Sequence, residues 1–370
     1  MKLIVPAADL RPYIEACADI APKKNKRPVL EATLLTCDAT GVTFNATNLH
    51  DTVWLRSTDM IPLHPGPLLL PSANLLRVVK EANKEDLSIS WDGKSLKANL
   101  QWGKSKIQLP VEAPIGFPVI EPFDETAGFI QLSASALTGH LKRTSFATQS
   151  SFTARALHGI NVVVKGDAIG FAATDGMRFA LVESECMNPH KLAINAIIPP
   201  VKLQQLKRLH TTGEEILDVQ ATSAWLRIRG PRGVLAWRLI AGEFPQWEGY
   251  VPRKVPKEMT VNRKKLLEVV SAHKVVKSSL SKDYRIDLTN GNFKLTARAG
   301  IDGDMESELD CAWTHGDFAV SLDPEFIEEG VAVMALEDIV LGVDTDKKPV
   351  LLREHTTDFT FIYSVVPRIM

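Results

Sequence analysis

The chain has 370 residues, 43 of them basic and 44 acidic, so its formal net charge at neutral pH is −1. A molecule this close to neutrality has no net attraction to a polyanion or to an acidic membrane surface, so any contact with nucleic acid depends on local charge. Its four cysteines include no CxxC pair, a pattern that favours a reduced cytoplasmic protein over a disulfide framework or a zinc site. No apolar run reaches ~18 residues, so we expect neither a signal peptide nor a membrane span.

The sequence predicts a strand followed by an amphipathic helix six times, twice in each of three successive stretches. The last apolar residues of the predicted strands are Val5, Leu70, Leu132, Ile198, Val261 and Leu322. Five positions later, the predicted helices have Leu10, Leu75, Leu137, Leu203, Leu266 and Ile327. Nine positions later, five of them have Ile14, Val79, Leu141, Val270 and Val331, while the fourth has Lys207 preceded by Leu206. A four-residue step between apolar positions is helical spacing, so each helix is expected to bury one stripe.

The predicted helices begin after proline or capping residues, as at Pro71-Ser72, Pro199-Pro200 and Asp323-Pro324. Between the helices, short alternating runs separated by turns such as Asp175-Gly176 predict strands. The sequence therefore predicts an α+β fold of three repeated domains, each with two short helices and about eight strands in antiparallel sheets. Proline-rich connections suggest an N-terminal domain at 1–123, a central domain at 127–248 and a C-terminal domain at 254–370.

The motifs of common enzyme classes are missing from the sequence. It has no phosphate-binding glycine-rich loop before a helix, no HExxH, no GxSxG and no metal-ligand spacing of cysteine or histidine. The nearest pattern to a metal loop is the acidic alternation from Asp302 to Glu306, but alternation in a strand simply places acids on the solvent face. We therefore expect neither a cofactor nor a metal.

Basic residues are concentrated on five predicted helices and in the loop after the first, whereas the sixth helix has Glu325, Glu328 and Glu329. The candidate phosphate-contacting cations are Lys23, Lys24, Lys26, Arg27, Arg77, Lys80, Lys142, Arg143, Lys202, Lys207, Arg208, Arg263 and Lys264. A continuous basic surface of this kind would contact phosphates without reading base sequence. The alternative is that each helix has an ordinary solvated polar face.

Three motifs of the central stretch point to one family. They are Arg155–Ile160 (RALHGI), Ala172–Ala180 (AATDGMRFA) and Gly242–Pro245 (GEFP). Together they resemble the central domain of the bacterial β sliding clamp, the processivity subunit of the replicative DNA polymerase. The threefold repeat, the length and the predicted terminal strand from Phe361 to Pro367 agree with this family over essentially the whole chain.

The resemblance implies a head-to-tail homodimer that forms a closed ring of six domains, with the helices lining the hole. Double-stranded DNA would pass through the ring without sequence-specific contact. The ring would tether the DNA polymerase, the clamp loader and other proteins through short clamp-binding peptides. Such a protein raises processivity through effective concentration and is not an enzyme. The implied location is the bacterial cytoplasm, at the nucleoid.

The resemblance also implies a partner-peptide pocket between the second and third domains. Its residues here are Leu157, Thr174, Gly176, Met177, Arg178, Phe179, Pro245, Asp323, Phe326, Val365, Val366 and Pro367. We expect the apolar members to accept aliphatic or aromatic side chains, and Thr174 and Arg178 to fix polar groups of the peptide. The chain departs from the family pattern at Met177, Phe179 and Gly249 and in its last residues. These departures leave the peptide preference open, and they allow a diverged or accessory copy.

For the dimer, the resemblance implies pairing between an edge strand around Ile107 and Leu109 and a second strand, around 275–280, of the other copy. Two alternatives remain. One is a clamp-like monomer that acts as an adaptor or regulator without closing a ring. The other is an enzyme whose site is assembled from distant residues such as Asp175, Arg178 and Asp323.

Overall fold

The computed structural model describes residues 1–118, 123–150, 155–200, 203–210, 212–249, 251–275, 283–298 and 303–368. These ranges contain six α-helices and 24 strands, which confirms the α+β fold with two helices and eight strands in each of three repeats. The helices are α1 (Ala7–Ile20), α2 (Ser72–Ala82), α3 (Ala134–Ser145), α4 (Leu203–Leu206), α5 (Arg263–Ser271) and α6 (Pro324–Ala332). No helix in the described ranges is long and apolar enough to cross a membrane.

All the strand pairings are antiparallel. The first repeat has β1 (Lys2–Pro6), β2 (Ala32–Asp38), β3 (Gly41–Thr47), β4 (Asp51–Ser57), β5 (Gly66–Pro71), β6 (Asp86–Ser90), β7 (Lys97–Trp102) and β8 (Ser105–Pro110). The second has β9 (Ile130–Ser133), β10 (Ile160–Lys165), β11 (Ala168–Thr174), β12 (Arg178–Glu185), β13 (Ile194–Ile198), β14 (Ile216–Ala221), β15 (Trp225–Gly230) and β16 (Gly233–Arg238). The third has β17 (Lys257–Asn262), β18 (Asp283–Thr289), β19 (Asn292–Arg298), β20 (Asp304–Asp310), β21 (Phe318–Ser321), β22 (Asp338–Val343), β23 (Val350–His355) and β24 (Phe359–Val365).

Contacts divide the chain into two compact units, because strands of neighbouring repeats share sheets. The first unit comprises Met1–Thr138, Met187–Leu192 and Lys202–Leu239. Its sheets have the orders β1-β6-β7-β8 and β5-β2-β3-β4-β16-β15-β14-β9, so β4 of the first repeat pairs with β16 of the second. Helix α1 packs against α2, β3 and β4.

The second unit comprises Gly139–Cys186, Ala193–Val201 and Ile240–Met370. Its sheets have the orders β13-β10-β11-β12-β24-β23-β22-β17 and β20-β19-β18-β21, so β12 of the second repeat pairs with β24 of the third. Helix α5 packs against α6 in this unit. The two contact units do not coincide with the three repeats. The boundaries predicted between the three domains therefore stay predictions.

Each of the six predicted strands is followed by its predicted helix, and most of the predicted helix stripe is buried. Residues 201 and 202, between the fourth strand and its helix, lie outside the described residues. The side chains of Leu10, Leu75 and Ile327 are at most 1% exposed. In the short fourth helix, Leu206 is fully buried and Leu203 only partly, which agrees with the offset in its sequence pattern. Ser72 does not cap its helix, because Pro71 holds the N-cap position and Ser72 is the first helical residue. The Ser72 hydroxyl lies 2.8 Å from that of Thr33.

The acidic alternation of the third repeat forms a solvent-facing strand face. The acids of β20 at 304, 306, 308 and 310 are exposed, and Met305 between them is partly buried. Asp302 lies outside the described residues. Within those residues, no group of three or more histidine, cysteine, aspartate or glutamate side chains could hold a metal ion.

Candidate partner-binding pocket and cationic surfaces

The hairpin between β11 and β12 is shaped by its own side chains. Gly176 has a φ of +91°, a backbone conformation that glycine adopts without steric cost. One oxygen of Asp175 accepts hydrogen bonds from the backbone N–H groups of Met177 and Arg178, both at 3.0 Å. The Thr174 hydroxyl donates to the carbonyl of Arg178 at 2.6 Å. These local hydrogen bonds fix the backbone of the hairpin at the edge of the predicted pocket.

Arg178 occupies the centre of a network that joins three elements. Its Nε donates to Asp175 at 2.9 Å, and one Nη donates to the carbonyl of Phe146 at the same distance, while the other donates to Glu329 of α6. The guanidinium carbon lies 4.6 Å from the ring centroid of Phe326 and 5.4 Å from that of Phe146. The side chain is only 10% exposed. We expected this arginine to be available to a peptide, but its hydrogen-bonding groups already have partners within the chain.

The next residue, Phe179, projects from the opposite face of the sheet, as alternation along a strand requires. Its ring centroid lies 5.9 Å from that of Trp247, and both pack in a cluster with Leu181 and Phe244. Pro245, which follows Phe244, lines a groove of about 860 Å³ along β10 and β13. Arg178 and Phe179 therefore lie on opposite faces of one sheet, and Pro245 lies in the groove along β10 and β13.

Helix α6 is held against β24 by close contacts. Tyr363 donates from its hydroxyl to the carbonyl of Phe326 at 2.8 Å, and burial raises the pKa of this tyrosine, so the hydroxyl stays protonated. Asp323 caps the helix by accepting from the N–H of Glu325, and it also accepts from Arg368 at 2.5 Å. Asp323 is therefore a structural cap with an ion pair.

The pairing of β12 with β24 brings Val365 and Val366 next to Arg178 and Met177. Val365 lies opposite Arg178 and is buried, while the N–H of Val366 donates to the carbonyl of Met177 at 2.8 Å. Met177 and Val366 are exposed apolar members, at 44% and 37%, and Pro245 is also exposed. Pro367 is buried, and Leu157 is partly buried in a 3-10 helix (Arg155–His158).

Sequence reasoning did not identify Phe146 and Glu329 as partners of Arg178. Both reach Arg178 from elements distant in sequence, so no local pattern signals them. For Glu329 alone, the acidic composition of the sixth helix was an indirect sign, because the other predicted helices are basic.

Cations of the first unit converge on one notch. Lys23, from the loop after α1, and Arg77 and Lys80, from α2, line a cavity of about 240 Å³. One acid, Glu31, also lines this cavity, and most of its remaining wall is apolar. Lys24, Lys26 and Arg27 are exposed in the same loop, and Lys207 is exposed next to α4. Lys202 lies outside the described residues.

Two of the candidate cations have acidic partners within the chain. Arg208 pairs with Glu15 at 2.9 Å and with Asp19 at 3.1 Å. Arg143 pairs with the buried Glu354 and is only 11% exposed. Arg143 and Arg208 therefore lie on or beside helices without offering an unpaired positive charge.

The other cations of the second unit lie on α3 and α5. Lys142 and Lys264 are exposed, whereas Arg263 is partly buried and donates from Nε to the carbonyl of Leu336.

The candidate dimer edge, β8, has one strand neighbour, β7, among the described residues. Ile107 is 39% exposed, but Leu109 is 3% exposed and belongs to the core of its own sheet. Residues 276–280 of the second predicted edge lie outside the described residues. The chain before them forms a 3-10 helix (Ala272–Val275), not a strand.

Comparison with known proteins accounts for this architecture. The N-terminal, central and C-terminal domains of the DNA polymerase III beta subunit match residues 1–121, 131–246 and 249–368 respectively. The chain belongs to the DNA polymerase III beta subunit family. The beta sliding clamps of Synechococcus elongatus and Caulobacter vibrioides are 24% and 23% identical to it. The first alignment covers 95% of both chains, and the second covers 88% of this chain and 89% of the relative.

Solved structures agree with this beta subunit fold. A sliding clamp of Pseudomonas aeruginosa, solved bound to griselimycin, superposes with a TM-score of 0.91 at 21% identity and covers 100% of both chains. The sliding clamp of Bacillus subtilis gives a TM-score of 0.93 at 18% identity and covers 100% of this chain and 99% of that chain.

Proposed function

We propose that the protein is a sliding clamp, a non-catalytic processivity factor that encircles duplex DNA and tethers the replicative polymerase. Membership of the DNA polymerase III beta subunit family over all three repeats supports this proposal. The observation that carries it is a pairing that recurs within the chain. Strand β4 pairs with the last strand of the second repeat, β16, and β12 pairs with the last strand of the third, β24.

Strand β20 is the fourth strand of its repeat, as β4 and β12 are, and β8 is the last strand of its repeat, as β16 and β24 are. Each of β20 and β8 has only one strand neighbour among the described residues. Two copies of the chain are proposed to pair β20 of one with β8 of the other. Each copy provides one strand of each kind, so two such pairings close a head-to-tail dimer and leave neither edge unpaired. This replaces the segment around 275–280 with β20 as the proposed second edge.

The repeat also suggests the register of the proposed pairing. Carrying over the register of the β4–β16 pair, with the hairpin ends aligned, places Lys106 opposite Glu306 and Ile107 opposite Met305. Opposite charges and apolar side chains in facing positions stabilise antiparallel pairs. Lys106 of β8 and the exposed acids of β20 are therefore complementary in charge.

The notch lined by Lys23, Arg77 and Lys80 supports a role in contacting phosphates, because three cations from two elements converge there. Lys142, Lys207 and Lys264 provide further exposed positive charge. Contacts of this kind release counterions and do not read base sequence, so they allow the DNA to slide.

Partners are proposed to dock through short peptides at the strand ends of β12 and β24. The replicative polymerase, the clamp loader and other clamp-binding proteins would share this pocket. Exposed Met177 and Val366 offer apolar contact area there, which is the usual basis of peptide pockets with a few polar anchors.

Light scattering over a dilution series, followed by a retention assay, tests the proposal. We expect a species of twice the chain mass that persists on dilution. Once loaded on circular DNA by the loader of the same organism with ATP, it should be retained, and it should be lost when the circle is linearised. A monomer at every concentration would contradict the ring and favour the adaptor alternative.

A designed disulfide tests the register. Ile107→Cys combined with Met305→Cys should give a covalent dimer under oxidation, and neither single variant should do so. Failure of the double variant to cross-link in a preparation that is dimeric by mass would rule out this register.

A further inference from the structure

We infer that Glu329 determines which peptides the pocket accepts. Its carboxylate already pairs with the guanidinium of Arg178, and this disfavours the binding of a peptide carboxylate to the same guanidinium. The inference rests on the proposed peptide-binding function. It adds a chemical rule for the ligand: the residue that approaches Arg178 is a neutral one.

The three partners of Arg178 differ in how readily a ligand could replace them. The carbonyl of Phe146 belongs to the backbone. Asp175 also accepts two backbone hydrogen bonds within its hairpin, so its position is fixed by the fold. Glu329 is 40% exposed and reaches Arg178 through its side chain alone. Of these three acceptors, it is the one that a ligand could replace.

Exchange of Glu329 for a peptide carboxylate brings no electrostatic gain. Arg178 carries one positive charge and already faces two carboxylates, those of Asp175 and Glu329. An incoming acid would be repelled by both, or would have to displace a group with the same charge and the same hydrogen-bonding capacity. An amide, a hydroxyl or a backbone carbonyl avoids this repulsion.

The rings around the guanidinium restrict the approach further. Phe146 and Phe326 both lie within cation–π distance of it, and the side chain is 10% exposed. A ligand therefore meets Arg178 at the Glu329 side, where the exposed carboxylate is the first group that it contacts.

The test uses two pools of fluorescein-labelled hexapeptides, both with leucine and phenylalanine at two fixed positions. The other positions hold only serine or glutamine in one pool and only serine or glutamate in the second. We expect the full-length protein to bind the neutral pool roughly tenfold more tightly in fluorescence anisotropy, as hydrogen bonds to a charged group suggest. Glu329→Gln should remove most of this preference by improving binding of the acidic pool.

Glu325→Gln is the matched control, since it removes the same charge from an exposed position of the same helix. It should leave the preference nearly unchanged. Equal binding of both pools to the unaltered protein would overturn the inference. Equal effects of Glu329→Gln and Glu325→Gln on the preference would also overturn it. They would show that the total negative charge of α6, and not the pairing of Glu329 with Arg178, sets the preference. If neither pool binds while the dimer and its retention on DNA are intact, the peptide pocket itself is wrong, a result distinct from equal binding.

Discussion

Arg143 and Glu354 form an ion pair of 3.1 Å in which the glutamate side chain is fully buried. The second oxygen of Glu354 accepts the backbone N–H groups of Ala335 and Leu336 at 2.7 and 3.1 Å, and the guanidinium lies 4.1 Å from the ring centroid of Phe359. The pair thus ties the end of α3 to the segment that follows α6. Its role is structural, although the sequence suggested a DNA contact for Arg143.

Replacing Arg143 with alanine should therefore destabilise the protein. The change leaves a buried carboxylate without its cation, which costs about 3 kcal/mol in comparable pairs. Urea unfolding should show a lower midpoint for Arg143→Ala and an almost unchanged midpoint for Lys142→Ala, whose side chain is exposed. Equal midpoints for the two variants would refute this assignment.

The stability of the protein should fall as the pH falls from about 6.5 to about 4, partly because of His140. This residue is 2% exposed, and burial together with the nearby Arg143 lowers its pKa from 6.5 to about 4. Between these values the unfolded chain binds a proton that the folded protein does not, so acid favours unfolding by up to about 3 kcal/mol. His140→Gln should flatten the dependence of the urea midpoint on pH.

The exposed His64 provides the control for this pH experiment. His64→Gln should keep the slope of the unaltered protein. If His140→Gln kept it as well, another group would be responsible.

Lys80 should contribute to DNA binding through the notch. Loss of one phosphate contact lowers the slope of log affinity against log salt by roughly 1. Anisotropy titrations of a labelled duplex at several salt concentrations should show this decrease for Lys80→Ala. Lys94→Ala removes the same charge from the exposed turn between β6 and β7, and it should leave the slope unchanged. Equal decreases would argue against a localised contact.

The contact between Gly330 and Tyr363 should control the position of α6. A Cβ at position 330 would overlap the Tyr363 ring, so Gly330→Ala forces the helix away from β24. We expect a loss of about 1–3 kcal/mol in stability and weaker peptide binding, because Phe326 moves with the helix. Ala332→Ser, at an exposed position of α6, is the control for both measurements. If the Gly330→Ala protein were less stable but bound peptide with wild-type affinity, α6 would not be part of the peptide pocket.

Charge reversal should test the proposed dimer edge. Lys106→Glu would face Glu306 in the register proposed above and should weaken dimerisation, and adding Glu306→Lys should restore it. Sedimentation velocity at low salt measures both effects, and high salt should reduce them. A double variant as weak as the single one would exclude this pairing.

The sequence alone was sufficient to predict the repeat and its elements. A four-residue step between Leu10 and Ile14 is a local signal, and so is a glycine after an aspartate in a turn, because helices and hairpins depend on neighbours in the chain. The family resemblance rested on equally local motifs. For these reasons the fold class and the strand-to-helix junctions were correct.

Only the tertiary structure decided which charges are free and which faces the pocket residues occupy. Lys142 and Arg143 are adjacent in sequence, yet one is exposed and the other pairs with a glutamate 211 positions later in the chain. Arg178 similarly pairs with Glu329, and Leu109 is buried in its own sheet although β8 is an edge strand. Ion pairing and burial are set by residues that folding brings together, and no local pattern encodes which distant partner will arrive.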